Sequence, residues 1–245
     1  MQPPSAIGSS PPMPERRRYL DALHALQEAT AKDADLCSPF VRALGMTGAA
    51  VSTLGAPLGS ETIGASDPGA ARLDELQLDL GEGPCWEALA SRRPVLEPDV
   101  QGSASTSWPL ARQAMHESGL GAVFAFPLVV ASVDIGAVDL YSDTARHLST
   151  QQIDDATNLS RVLARQVLRR ALLSLTESGE DAGAWDGQYS RRELHQATGM
   201  VIAQMGLSAA DALLVLRGHA FATNRPVRDV ANDVVERRLD FTPAR

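Results

Sequence analysis

The sequence predicts an α+β fold, a sheet domain flanked by helices, followed by a separate all-α bundle of three helices. Three observations carry this expectation. Residues 122–130 and 135–141 are apolar runs joined by a short polar turn near Ser132, the pattern of a β-hairpin and hence of an antiparallel sheet. Residues 176–187 (TESGEDAGAWDG) are glycine-rich and acidic, which marks a domain boundary. Beyond that boundary, helical spacing recurs three times, each time behind its own start signal.

Taken in order, residues 1–14 hold five prolines and three serines, and the segment 1–18 is expected to be disordered. From Tyr19, Leu20, Leu23 and Leu26 fall on one helical stripe; Leu36, Phe40, Val41 and Leu44 fall on a second, stopped by Gly45. Residues 49–54 and 61–65 read as short strands, and Leu73, Leu76 and Leu80 return to helical spacing. A break at 81–84 precedes a helical turn or two at 85–90, and Val95–Leu96 is a short strand between prolines. Pro127 inside the hairpin demands a bulge or an edge position. Ser149 and Gln152 form a capping box that opens a long helix. One stripe of that helix is Ile153, Ala156, Leu159, Leu163 and Val167; Leu168, Leu172 and Leu175 begin another, so two edges need burial, against the sheet or a partner helix. Arg161, Arg165 and Arg169 make a basic ridge, read as a solvated face.

In the tail, Ser190 with Glu193 and Ser208 with Asp211 are capping boxes, Gly206 ends the first helix and Pro226 starts the third. The inward stripes are Leu194, Ala197, Val201 and Met205; Leu213, Leu216 and Ala220; and Val227, Val230, Ala231 and Val234. The expected organisation is therefore a disordered 1–18, a sheet domain with flanking helices at 19–175, a linker at 176–187, a helical domain at 188–241 and a short tail at 242–245.

Charge narrows the function classes. The net charge is −8, all of it in residues 1–180, while 181–245 are neutral. A broad phosphate footprint requires a basic surface, so any nucleic-acid contact must be small and confined to the tail. Two cysteines are too few for a disulfide framework, and no apolar run approaches the ~18 residues of a membrane-spanning helix. A cytoplasmic protein without membrane attachment is expected. The five histidines lie at no metal-ligand spacing, and neither a nucleophile elbow nor a Walker A loop is present, so no enzyme is expected and no metal or cofactor is named. Cys85 follows the turn Leu80-Gly81-Glu82-Gly83-Pro84 at a candidate helix start; it reads as a small buried hydrophobe or as a redox-sensitive thiol.

The tail carries Gln196-Ala197-x-Gly199-Met200, then Ala212, Leu216-Arg217 and Ala220, then Asp229-Val230-Ala231 and Val234-Val235. In these features it resembles the ANTAR domain, a three-helix RNA-binding module of bacterial transcription antitermination regulators. Many ANTAR domains have lysine where this chain has Thr198, a departure that removes one positive charge. Residues 20–172 resemble a GAF domain, an antiparallel sensory sheet flanked by helices, through Leu80–Cys85, Trp108-Pro109, Phe126-Pro127-Leu128 and the run from Gly136 to Ser142. The pairing is similar to actinobacterial GAF–ANTAR regulators. The Asn-Lys-Phe-Asp signature of cyclic-nucleotide GAF domains and the Cys-His pair of bilin-binding ones are absent.

The resemblance implies an RNA partner, paired stem-loops in nascent mRNA whose binding prevents terminator formation, together with a homodimer and a small-molecule ligand of the GAF-like domain. Single-stranded loops can be read by stacking and hydrogen bonding with modest charge. The polar residues outside the inward stripes, and hence the candidate RNA contacts, are Arg191, Arg192, Gln196, Thr198, Arg217, Thr223, Asn224, Arg225 and Arg228. The alternative for Arg217 is a salt bridge to Asp211 or Asp229; Phe221 is expected in the core, and His195 at or near the surface. The competing expectation is a sensor whose tail is a dimerisation or protein-docking bundle without RNA binding.

Overall fold

The computed structural model describes residues 13–31, 34–56, 58–177, 191–223 and 225–242. The first helix, α1 (Met13–Glu28), starts six residues before the expected stripe, so 13–18 are helical rather than part of a disordered segment. A short helix α2 (Ser38–Leu44) ends at Gly45, whose φ of 64° is the left-handed conformation glycine adopts without cost. Cys37 precedes α2 as its buried N-cap residue rather than lying on the helix.

Five strands form one sheet in the order β2-β1-β5-β4-β3, with every neighbour antiparallel: β1 (Gly48–Thr53), β2 (Glu61–Ala65), β3 (Val95–Glu97), β4 (Ala122–Val130) and β5 (Val133–Ser142). The β4–β5 hairpin sits centrally, as its continuous apolar runs require. β3 pairs with β4 only as far as Ala125, so Pro127 lies past the last residue with a β3 neighbour, and the register shifts just after it, between Leu128 and Val129. That is how a proline is tolerated inside an otherwise central strand.

Helices cover both faces. On one face, Leu26 of α1, Phe40 of α2, and Leu159 and Leu163 of α6 (Thr150–Glu177) pack with Phe124, Phe126, Leu128 and Leu140 of the sheet. On the other face lie α3 (Pro68–Leu80), α4 (Pro84–Ser91) and α5 (Pro109–Glu117), through Leu73, Leu78, Cys85 and Met115. The capping box of α6 forms in full: the Gln152 N–H donates to Ser149 Oγ at 3.2 Å, and the Ser149 N–H donates to Gln152 Oε1 at 3.0 Å. α6 extends to Glu177, two residues into the expected linker; residues 178–190, including Ser190 of the expected capping box, lie outside the described residues.

α5 has no counterpart among the expected elements. Its first turn is capped from a distance: Glu82 Oε1 accepts the N–H groups of Leu110 at 2.7 Å and Ala111 at 2.9 Å. The 80–85 turn is thus a structural device. Gly83, at φ 140°, leaves room for Gln77, since a Cβ there would lie 2.5 Å from Gln77 Oε1.

The tail is a bundle of α7 (Arg192–Met205), α8 (Ala209–Ala222) and α9 (Val227–Val235). Its core is Leu194, Ala197, Val201, Ala212, Leu216, Ala220, Val227, Val230, Ala231 and Val234. Ser208 caps α8 by accepting the Asp211 N–H at 3.2 Å, while its hydroxyl donates to the Asp211 carboxylate. Three details correct the expected stripes. Met205 is partly exposed, Ala212 rather than Leu213 joins Leu216 and Ala220 in the buried face of α8, and Phe221 is 68% exposed rather than core. α8 carries apolar residues from Leu213 through Leu216 all around its axis, so spacing alone cannot phase it.

Candidate nucleic-acid interface

The polar residues of the bundle divide into two groups. Arg192, Gln196, Thr223 and Arg225 are exposed, with Arg225 bound to Asp233 at 2.7 Å. The Thr198 and Thr223 hydroxyls donate back to the carbonyls of Leu194 and His219, each at 2.7 Å, the usual fate of a helical threonine. Asn224 lies outside the described residues.

The other group, Arg191, Arg217 and Arg228, faces α3 of the sheet domain. Glu75 and Asp79 stand one helical turn apart on α3 and therefore share a face. Arg228 pairs with Glu75 at 3.2 Å, and Arg191 forms a salt bridge with Asp79. The second oxygen of Asp79 lies 3.4 Å from the backbone N–H of Val227, at the start of α9. Arg217 takes neither Asp211 nor Asp229 as its partner; its Nη2 donates to the Leu78 carbonyl at 2.7 Å, in the last turn of α3, where a cation also complements the helix dipole. Gly81, which ends α3 at φ 70°, lies against this contact, and a Cβ there would sit 3.1 Å from Arg217 Nη1, close enough to push the guanidinium aside slightly. Burial and the neighbouring Arg191 charge lower the Arg217 pKa, with Asp79 opposing. Beside this row, His195 Nε2 lies 3.2 Å from Glu61 Oε1 on β2.

Behind the outer face of α3, its inner face holds a buried polar group. Thr62 donates to Asp74 at 2.5 Å, and Gln77 bridges Asp139 and the Cys85 N–H, the latter at 3.0 Å. Burial raises the Asp74 carboxyl to about 6 against the opposing Thr62 hydrogen bond. Burial, reinforced by Asp74, raises Asp139 well above the carboxylate range. Cys85 is fully buried, and burial with the charges of Asp139 and Asp74 pushes its thiol well up. That holds the sulfur protonated and enclosed, the setting of a structural cysteine rather than of a reactive thiolate.

A five-stranded antiparallel sheet between helical layers is joined to a bundle of three short helices whose arginines meet an acidic helix face. The chain belongs to the GAF domain family, which residues 37–167 match, and residues 189–235 match the ANTAR domain. No curated protein matches the chain. Among solved structures, it is similar to the chromophore-binding domain of the bacteriophytochrome RpBphP3 from R. palustris, with 17% identity over 63% of this chain and 61% of that one and a TM-score of 0.47. The cyanobacteriochrome TePixJ GAF domain is similar at 18% identity over 59% and 93% of the two chains, with a TM-score of 0.47. Free methionine-R-sulfoxide reductase from Neisseria meningitidis is similar at 14% identity over 65% and 93%, with a TM-score of 0.46. No single helix among the described residues is long and apolar enough to cross a membrane.

Proposed function

We propose that the chain is a cytoplasmic RNA-binding transcription antitermination regulator. The GAF domain receives a signal, which this reading takes to be a small molecule, and the ANTAR domain binds paired stem-loops in nascent mRNA and prevents the terminator from forming. No catalytic step is involved, and the protein works as a homodimer. The observation that carries the reading is the ANTAR match over the three tail helices. The dimer draws on exposed Leu172 and Leu173 near the end of α6.

The described arrangement is the closed state of this regulator. Arg191, Arg217 and Arg228, three of the candidate RNA contacts, are engaged by α3, leaving Gln196, Thr223 and Arg225 exposed. RNA phosphates and the α3 carboxylates then compete for the same guanidinium groups. A mobility shift of the full-length protein, at one stated salt concentration, against a two-stem-loop RNA and a loop-scrambled control tests this reading. Preferential binding to the intact loops, strengthened by Asp79→Asn, is the expected result. Equal affinity for intact and scrambled loops in both proteins would sink it.

One observation favours a second reading: the bundle already docks on a protein surface through its arginines. A pure docking module predicts that Asp79→Asn releases the bundle without creating any preference for RNA.

A further inference from the structure

We infer that the cleft between α3 and the α8–α9 turn is an effector site for a small anion with a flat apolar body, and that filling it holds the ANTAR domain closed. The inference rests on the closed-state reading above. The cleft is open to solvent along one side and offers about 460 Å³, within the range of small-molecule sites. One wall is the outer stripe of α3, where Arg72, Leu76 and Leu80 recur every four residues; the other is formed by Ala220 and Phe221 of α8 and by the residues that open α9.

Charge gives the ligand its sign. The carboxylates at the cleft are already neutralised, Glu75 by Arg228 and Asp79 by Arg191, and Arg225 is bound to Asp233. Two guanidinium groups are left without an ion pair of their own, Asp79 being shared between Arg191 and Arg217. Arg72 has no ion-pair partner among the described residues, and Arg217, bound only to a carbonyl, has its Nε buried without an acceptor. A carboxylate, sulfonate or phosphate oxygen between the Arg72 and Arg217 guanidinium groups would supply the missing charge and accept charge-assisted hydrogen bonds from them. The leucine and alanine side chains and the exposed Phe221 ring at the mouth then favour a planar apolar body behind the anionic group.

Because the two walls come from different domains, the intact cleft exists only while the domains are docked. A ligand that requires it therefore opposes RNA binding by linkage: at about 100 times its dissociation constant it weakens RNA affinity by about 100-fold.

Calorimetry on the full-length protein with naphthalene-1-sulfonate as the probe tests the site, with inorganic sulfate and 2-naphthol supplying the charge and the ring separately. The expected result is saturable one-to-one binding of the sulfonate alone. Arg72→Glu and Phe221→Ala, both at exposed positions outside the core and the candidate RNA contacts, should each weaken it at least tenfold without lowering the melting temperature. The probe should weaken RNA binding by the wild-type protein and not by Arg72→Glu. Unchanged probe affinity in both variants, or sulfate binding as tightly as the probe, overturns the site. Probe binding that depends on Arg72 and Phe221 in a protein that never prefers intact RNA loops keeps the site and removes the RNA reading; RNA binding without probe binding does the reverse.

Discussion

Asp79→Asn is the sharpest perturbation of the contact between the two domains. It removes a charge but keeps a side chain of the same shape, and its amide oxygen can still meet the Val227 N–H. In the docked state, the Arg191 side chain is 9% exposed and that of Asp79 21% exposed, so the substitution strands a nearly buried guanidinium. Removing one partner of a fully buried pair costs about 3–5 kcal/mol, whereas an exposed pair is worth about 0–1 kcal/mol. Partial exposure of Asp79 and the retained amide oxygen place this pair between those limits, at about 2 kcal/mol. In the undocked state Arg191 is solvated, so the whole cost falls on docking. The domain equilibrium should shift toward the open form by about 30-fold, and RNA affinity should rise by the same factor. The assay is a titration of wild-type and Asp79→Asn proteins against the two-stem-loop RNA at one salt concentration, with hydrogen exchange at the start of α7 read in parallel. RNA affinity within about twofold of wild type, together with unchanged exchange, would refute the argument that α3 restrains the bundle.

Four further outcomes are expected. Raising salt should weaken RNA binding less steeply for the wild-type protein than for Asp79→Asn, because salt also loosens the α3 contacts; parallel slopes would contradict this. Asp74 is neutral in both folded and unfolded chains below about pH 4, but must be buried as a charge once pH passes its raised value of about 6, so its contribution to stability is lost as pH rises through 6. Moving a carboxyl pKa from about 4 to about 6 corresponds to about 3 kcal/mol, so Asp74→Asn should stabilise the protein at pH 7.5 relative to wild type, and the gain should vanish near pH 4 in denaturant titrations. Gly83→Ala should destabilise the GAF domain by more than about 2 kcal/mol, since it drives a methyl into Gln77 at a backbone angle that L residues avoid; thermal melting reads this directly. A thiol reagent should leave native Cys85 unmodified and label it only on unfolding; rapid native labelling would return it to the redox candidates.

Much of the fold was legible because its signals are local. The Ser149–Gln152 capping box, the turn between β4 and β5, the glycines after α2 and α7 and the proline before α9 each act over a few residues, and each forms where its spacing says. α5 has only a weak local signal: Pro109 at its first position, and Ala111 and Met115 four residues apart. Its cap was beyond reach, because Glu82 supplies it from 28 residues upstream. Phe221 failed for a different reason. A helix that is apolar on several faces gives no phase, and only its neighbours decide which side is wet.

The candidate interface shows the same division. Residue type and position place Arg191, Arg217 and Arg228 among nine polar residues outside the bundle's apolar stripes, and nothing local separates these three from the other six. The sequence by itself therefore determined the two-domain order, most of the helices, the hairpin and the placing of the net negative charge in the first domain. Only the tertiary structure decided that α3 supplies the partner, with Asp79 for Arg191, Glu75 for Arg228 and the Leu78 carbonyl for Arg217. Those pairs join residues more than a hundred positions apart, and a helix face acquires a partner only when packing brings another surface within hydrogen-bond reach. No local spacing encodes that distance.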